Sequence, residues 1–202
     1  MSSSSPSFVD SERRELAELL SSLGPGAPTL CEGWETAHLA AHLVVREHRP
    51  DALPGFGAEV LRPGNPLTSW SHRLEDRLRA STPYAEVVDR LRGGPPGWSP
   101  MAWPGLGSAL NTTEFAIHHE DVRRAQPGWT PRVLPSQSQD ALWSAAALFG
   151  RRAAGKRGLV LRRSDAAGEK RFGDGGRTVE GEPMELLLWT SGRGDAARVT
   201  VS

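Results

Sequence analysis

Leu16, Leu19, Leu20 and Leu23 recur at the three- and four-residue spacing of one helix face, with Ser11 and Glu12 at the start and Gly24-Pro25 as a stop. The spacing predicts a first helix over residues 11–23. A second helical pattern runs from about Trp34 to Glu47, where Leu39, His42 and Leu43 share a face, and Pro50 ends it. That helix carries an imidazole inward. Residues 50–66 hold several Pro and Gly without a sustained period, which predicts a long loop of the kind that edges a site. Helical spacing resumes at about Pro66 with Trp70, Leu74 and Leu78, and Val87, Val88 and Leu91 predict a short helix over 83–92 with Pro83 in its first turn. The stretch Gly93 to Gly107 is punctuated by Pro and Gly and carries Trp98 and Trp103. Two long helices are expected after it, over 108–124 and over 135–154, the latter burying Leu142, Trp143, Ala146 and Phe149.

Beyond residue 154 the period changes. Residues 158–162 have strand character, 169–172 and 177–179 predict short strands, 183–191 a helix and 197–201 a last strand. The pattern therefore predicts a mainly α protein: a helical bundle over residues 1–156 and a small C-terminal α/β appendage over 157–202. The boundary is expected in Gly155-Lys-Arg-Gly158, where helical spacing gives way to alternation.

Glu114 and His118, four apart in Thr113-Glu-Phe-Ala-Ile-His-His-Glu-Asp121, project from adjacent turns of one helix face. Such a pair can chelate one divalent ion, and the mixture of carboxylate and imidazole suits zinc or a neighbouring first-row metal better than magnesium or calcium. It can equally be a surface pair or a satisfied core histidine. A metal site needs at least one more ligand, and bundles supply ligands from facing helices; His42 is the candidate, with His38 four residues earlier as its rival. Three protein ligands would leave a coordination position open, the mark of a catalytic or ligand-binding ion. His119, turned about a hundred degrees from His118, is expected to face solvent or to support a ligand, and Asp121 either orients His118 or pairs with Arg123 and Arg124. His48 and His72 are expected to be exposed. Cys31 has no base near it in sequence and fits a buried small hydrophobe. Most of the tryptophans fall on apolar faces or loop anchors, and core packing is expected of them, with Trp98 and Trp103 as possible pocket walls.

Composition adds exclusions. In 202 residues, 24 basic and 24 acidic side chains give a formal net charge of zero, so no phosphate-tracking surface for nucleic acid is indicated. The Arg pairs 123–124, 151–152 and 162–163 fit a solvated face. No apolar run approaches the roughly 20 residues of a membrane span. One cysteine and an N-terminus without secretory features predict a cytoplasmic protein. Gly173-Asp-Gly-Gly176 lacks the lysine and the strand-to-helix context of a phosphate loop.

Two blocks carry a family resemblance. Leu30-Cys-Glu-Gly-Trp34 running into Leu39-Ala-Ala-His-Leu-Val44, and Asn111-Thr-Thr-Glu-Phe-Ala-Ile-His-His-Glu-Asp121, resemble the mycothiol-dependent maleylpyruvate isomerase family within the DinB-like four-helix-bundle metalloproteins, in particular an actinobacterial branch described as metal-binding proteins. The resemblance selects His42 over His38 and implies His42, Glu114 and His118 as ligands to a divalent metal, zinc first, with mycothiol as cosubstrate. His38 departs from the Asp common at that place, and the C-terminal region is shorter than in the longer members. What the resemblance implies is a thiol-dependent isomerase or transferase acting on a small electrophile, as a monomer or homodimer; the alternatives are a non-catalytic metal- or thiol-binding module and a metal-dependent hydrolase. No catalytic residue beyond the ligands is implied.

Overall fold

The computed structural model describes residues 7–56, 66–103 and 106–202, the side chains of residues 66, 67 and 106–109 excepted. It divides into two compact units, Met1–Trp129 and Thr130–Ser202.

In the first unit, α1 (Phe8–Leu23) opens on the cap residue Ser7, whose hydroxyl accepts the N–H of Asp10 at 3.2 Å. It closes where Gly24, at φ 76°, turns the chain and donates its N–H to Leu20 O. The helix α2 (Thr36–His48) carries Leu39, Ala40, Ala41 and Leu43 fully buried, and α3 (Pro66–Ser81), α4 (Tyr84–Gly93) and α5 (Leu106–Arg124) follow. α1 packs on α4 and α5, and α2 on α3 and α4. The shared core is Leu16, Leu20, Leu39, Leu43, Val87, Leu91, Phe115 and Val122, each large apolar side chain contributing about 1.5–3 kcal/mol through burial. Residues 50–66, expected as loop, begin instead with a 3₁₀ turn at Pro50–Ala52 and helical residues 53–56. Ala52 is buried there against Val45 and Leu74, an anchor too short for periodicity to reveal. Residues 57–65 lie outside the described set.

The second unit comprises α6 (Ser136–Ala154), β1 (Leu159–Arg163), β2 (Glu169–Phe172), β3 (Arg177–Gly181), α7 (Pro183–Thr190) and β4 (Thr200–Val201). The strands form one sheet in the order β2-β1-β3-β4, with β1 antiparallel to β2 and parallel to β3, and β4 antiparallel to β3. The division into units falls at Trp129–Thr130, earlier than the 156 expected from periodicity. α6 packs on α7, β1 and β2, so the change from helix to strand near residue 156 marks the first strand inside this unit. At Gly150 on α6 a Cβ would lie 2.5 Å from the ring of the half-buried Phe172, so a side chain there would oblige the ring to move. The strand expected over 197–201 contracts to two residues, after a 3₁₀ turn at Gly194–Ala196. No helix among the described residues is long and apolar enough to cross a membrane.

Candidate metal centre

α2 and α5 bring together the three side chains singled out in the sequence. Glu114 Oε1 lies 2.9 Å from His42 Nε2 and 3.2 Å from His118 Nε2, with the two imidazole centroids 5.3 Å apart. The potential ligand atoms of all three lie within 4.8 Å of one another. The placement follows from local sequence: Leu39 and Leu43 fix the buried face of α2 with His42 beside it, and Phe115, fully buried, fixes the rotation of α5 that turns Glu114 and His118 toward α2. His38 does not join them. Its Nδ1 accepts the Glu35 N–H at 3.2 Å in a capping box that starts α2.

Each histidine also has a carboxylate behind it. His42 Nδ1 is 3.0 Å from Glu75 Oε1 on α3, and His118 Nδ1 is 2.9 Å from Asp121 Oδ2, one turn further along α5. Ionised carboxylates only accept hydrogen bonds, so these contacts place a proton on each Nδ1. The rings of Trp34 and Phe56 stand 5.1 and 5.0 Å from that of His42. Arg46 Nε is 3.6 Å from Glu114 Oε2, and its Nη1 donates to Asn111 Oδ1 at 2.6 Å.

Burial opposes charge on all three central groups, and the local partners overcome it. For His118, hydrogen bonds to Asp121, Cys31 and Glu114 raise the pKa well above the usual imidazole value; for His42, those to Glu114 and Glu75 raise it. Glu114 is held well below the ordinary carboxylate range by Arg46 and the two histidines. Both Nε2 atoms thus face Glu114 Oε1, and a proton held on either would have to leave for a cation to take its place. The donor set passes the chemical test for such an ion: two imidazole nitrogens and one carboxylate oxygen suit zinc or its neighbours. With the two histidines neutral, as ligands must be, the carboxylates of Glu114, Glu75 and Asp121 outnumber the Arg46 guanidinium among the described residues of the centre, an excess of negative charge that a divalent cation would balance.

Two other groups of potential ligands occur among the described residues. Cys31, Asp121 and His118 form one. Cys31 Sγ donates to Asp121 Oδ2 at 3.2 Å and lies 3.8 Å from His118 Nδ1, so the cysteine is half-buried beside the centre and not the plain core thiol expected. The loop reaches α5 because the Leu30 N–H donates to Asp121 O, a tie across the chain that local sequence does not show. Glu12, Glu15 and His119 form the other. His119, expected toward solvent or in support of a ligand, is buried and paired with Glu12 on α1 at 2.9 Å. His72 is exposed as expected, whereas His48 is half-buried near Gly94. Trp98 and Trp103 are exposed, and Trp103 lines a cleft of about 580 Å³ with Arg13, Arg14 and Asn111. Glu75, Arg46 and Phe56 escape sequence reasoning; the available signal is that Glu75 follows Leu74 and stands four residues after the buried Ser71, on the flank of an apolar face.

No family model matches the chain, and no curated protein matches it. Two solved structures do. A crystal structure of the mycothiol-dependent maleylpyruvate isomerase, in a histidine-to-alanine mutant form, superposes with a TM-score of 0.58 at 19% identity, covering 96% of this chain and 89% of that one. A further crystal structure of the mycothiol-dependent maleylpyruvate isomerase superposes with a TM-score of 0.54 at 20% identity and the same coverage. The chain thus has the fold of these structures, the mainly helical DinB-like architecture with a small C-terminal sheet.

Proposed function

We propose that the chain holds one divalent cation, zinc by preference, on His42 Nε2, the Glu114 carboxylate and His118 Nε2, and that it acts as a thiol-dependent isomerase or transferase on a small electrophile. The observation that carries the metal reading is the approach of both Nε2 atoms to a single oxygen of Glu114. Mycothiol as the thiol is supported by the two structural neighbours, whose names specify it. A bound ion would supply Lewis acidity, favouring the thiolate of a cosubstrate at neutral pH.

The protein's own residues shape where that chemistry can occur. Arg46 holds Glu114 ionised and faces its second oxygen, so Oε1 is left to the two histidines. Trp34 and Phe56 bracket His42 with apolar surface that displaces water and strengthens electrostatic interactions in the centre. Glu114 retains 24% side-chain exposure against 11–12% for the two histidines, so small molecules would approach from its side. In this reading the chain works in the cytoplasm, without membrane or nucleic-acid partners.

Thermal-shift measurements on zinc-loaded and chelator-treated protein, with and without mycothiol, test the proposal. Stabilisation by the thiol only when zinc is present, followed by turnover in a panel of electrophiles, is the expected result. Zinc binding with no response to any thiol would overturn the thiol chemistry and favour hydrolysis; thiol binding without turnover would leave a binding module.

A further inference from the structure

We infer that Glu75 and Asp121 are positioning residues that lock the two histidines with Nε2 toward Glu114, and that Cys31 supports Asp121 and is not a metal ligand. The inference rests on the metal reading above and concerns residues outside the proposed ligand set. In an imidazole the two nitrogens point to opposite sides of the ring. A carboxylate within hydrogen-bond reach of Nδ1 therefore stands behind the ring and fixes both its rotation and its tautomer. The arrangement occurs twice here, at 3.0 Å for Glu75 on His42 and 2.9 Å for Asp121 on His118.

The supporting carboxylates come from different places. Glu75 reaches across from α3, so it also ties His42 to a helix that contributes no ligand. Asp121 lies on the same helix as His118, is fully buried, and accepts the Cys31 S–H at 3.2 Å on the oxygen that meets His118. Cys31, Asp121 and His118 could themselves be read as ligands, since their donor atoms also cluster. That set would use His118 Nδ1 and break its hydrogen bond to Asp121, and it includes no atom of His42. The Nε2 set uses both histidines and leaves every Nδ1 contact intact. The geometry therefore assigns Asp121 to orientation and Cys31 to its support.

The test is metal affinity and spectroscopy on the full chain. Cobalt and zinc are titrated into chelator-treated protein against a chromophoric competitor, for the wild type and for Glu75→Ala, Glu75→Gln, Asp121→Asn, Cys31→Ser and His118→Ala. Wild type should bind one ion and His118→Ala should lose it. Glu75→Ala and Asp121→Asn should keep one-to-one binding but weaken it by about 10–100-fold and broaden the cobalt d–d bands, the signature of loosened ligands. Glu75→Gln, whose amide oxygen still accepts from Nδ1, should recover part of the loss. Cys31→Ser should bind like wild type, and the wild-type cobalt spectrum should show no thiolate charge-transfer band.

Glu75→Ala binding as tightly as wild type, with an unchanged spectrum, would overturn the positioning role while leaving the centre standing. A thiolate band, or loss of the ion in Cys31→Ser, would overturn the assignment of Cys31. Failure of the wild type to bind either metal would instead overturn the metal reading itself. Should Asp121→Asn fail to fold, as far-UV circular dichroism would show, the two Glu75 variants decide the matter.

Discussion

His42 on α2 and Glu114 on α5 meet at 2.9 Å although 72 residues separate them in the chain. The contact joins two helices that also share the apolar core of Leu39, Leu43 and Phe115. Because that core fixes the helix rotations, packing sets where each ligand side chain enters the centre, and what happens there should depend on protonation more than on helix rearrangement.

Metal uptake should strengthen as pH rises. In the ion-free state protons on Nε2 of His42 and His118 are held against Glu114, because the pKa values of both histidines are raised, that of His118 well above the ordinary imidazole range. A cation must displace those protons, so binding should release up to about two protons per ion, and apparent affinity should climb until pH passes the raised values. Calorimetric titration of zinc in buffers of differing ionisation enthalpy counts the protons. The metal-free protein should behave oppositely in stability: a raised folded-state pKa contributes stability that is complete below the unfolded imidazole value and is lost as pH rises through the folded one.

The ion pair of Arg13 and Glu47 offers a second pH test, away from the centre. Arg13 forms a fork of contacts at 2.7–2.9 Å with Glu47, which is fully buried, and its guanidinium stacks 4.5 Å over Phe115. Burial pushes the Glu47 carboxyl up to about 7 from 4.5 in spite of Arg13. Folded protein then holds a proton that the unfolded chain releases, so this group lowers stability as pH rises from 4.5 to 7. Arg13→Met should cost about 3–5 kcal/mol at pH 8, where Glu47 is left charged and unpaired, and clearly less at pH 5, where it takes up a proton. Urea unfolding at the two pH values measures both.

How much of this was legible in the sequence depended on whether the signal was local. The apolar spacing of Leu16, Leu20, Leu39 and Leu43 shows which faces are buried because core positions repeat along a helix. Glu114 and His118 show as a pair because four residues make one turn. Glu75 has no such repeat: it is one carboxylate on a charged helix, and its burial beside His42 comes from the packing of α2 on α3. His119 misled for the same reason, since its partner Glu12 sits 107 positions away. The unit boundary was displaced because periodicity identifies an element, α6 here, without showing what that element packs against.

The second unit can be perturbed by one methyl group. Gly150→Ala would place Cβ 2.5 Å from Cε2 and 2.7 Å from Cζ of Phe172, and the ring must shift or α6 must lift from β2. We expect a loss of about 1–3 kcal/mol, the usual cost of overpacking, read as a lowered thermal midpoint. Pairing it with Phe172→Leu should return most of the stability, because the clash is with the ring edge.

The metal content of the purified protein, measured by elemental analysis alongside His42→Ala, Glu114→Ala and His118→Ala, bears most directly on the proposed centre. About one equivalent of zinc or a neighbouring metal in the wild type, and its loss in each variant with the helical circular dichroism intact, is the result expected for a three-ligand site. Wild-type protein that binds no divalent metal even after dialysis against zinc, or variants that retain the full equivalent, would contradict it.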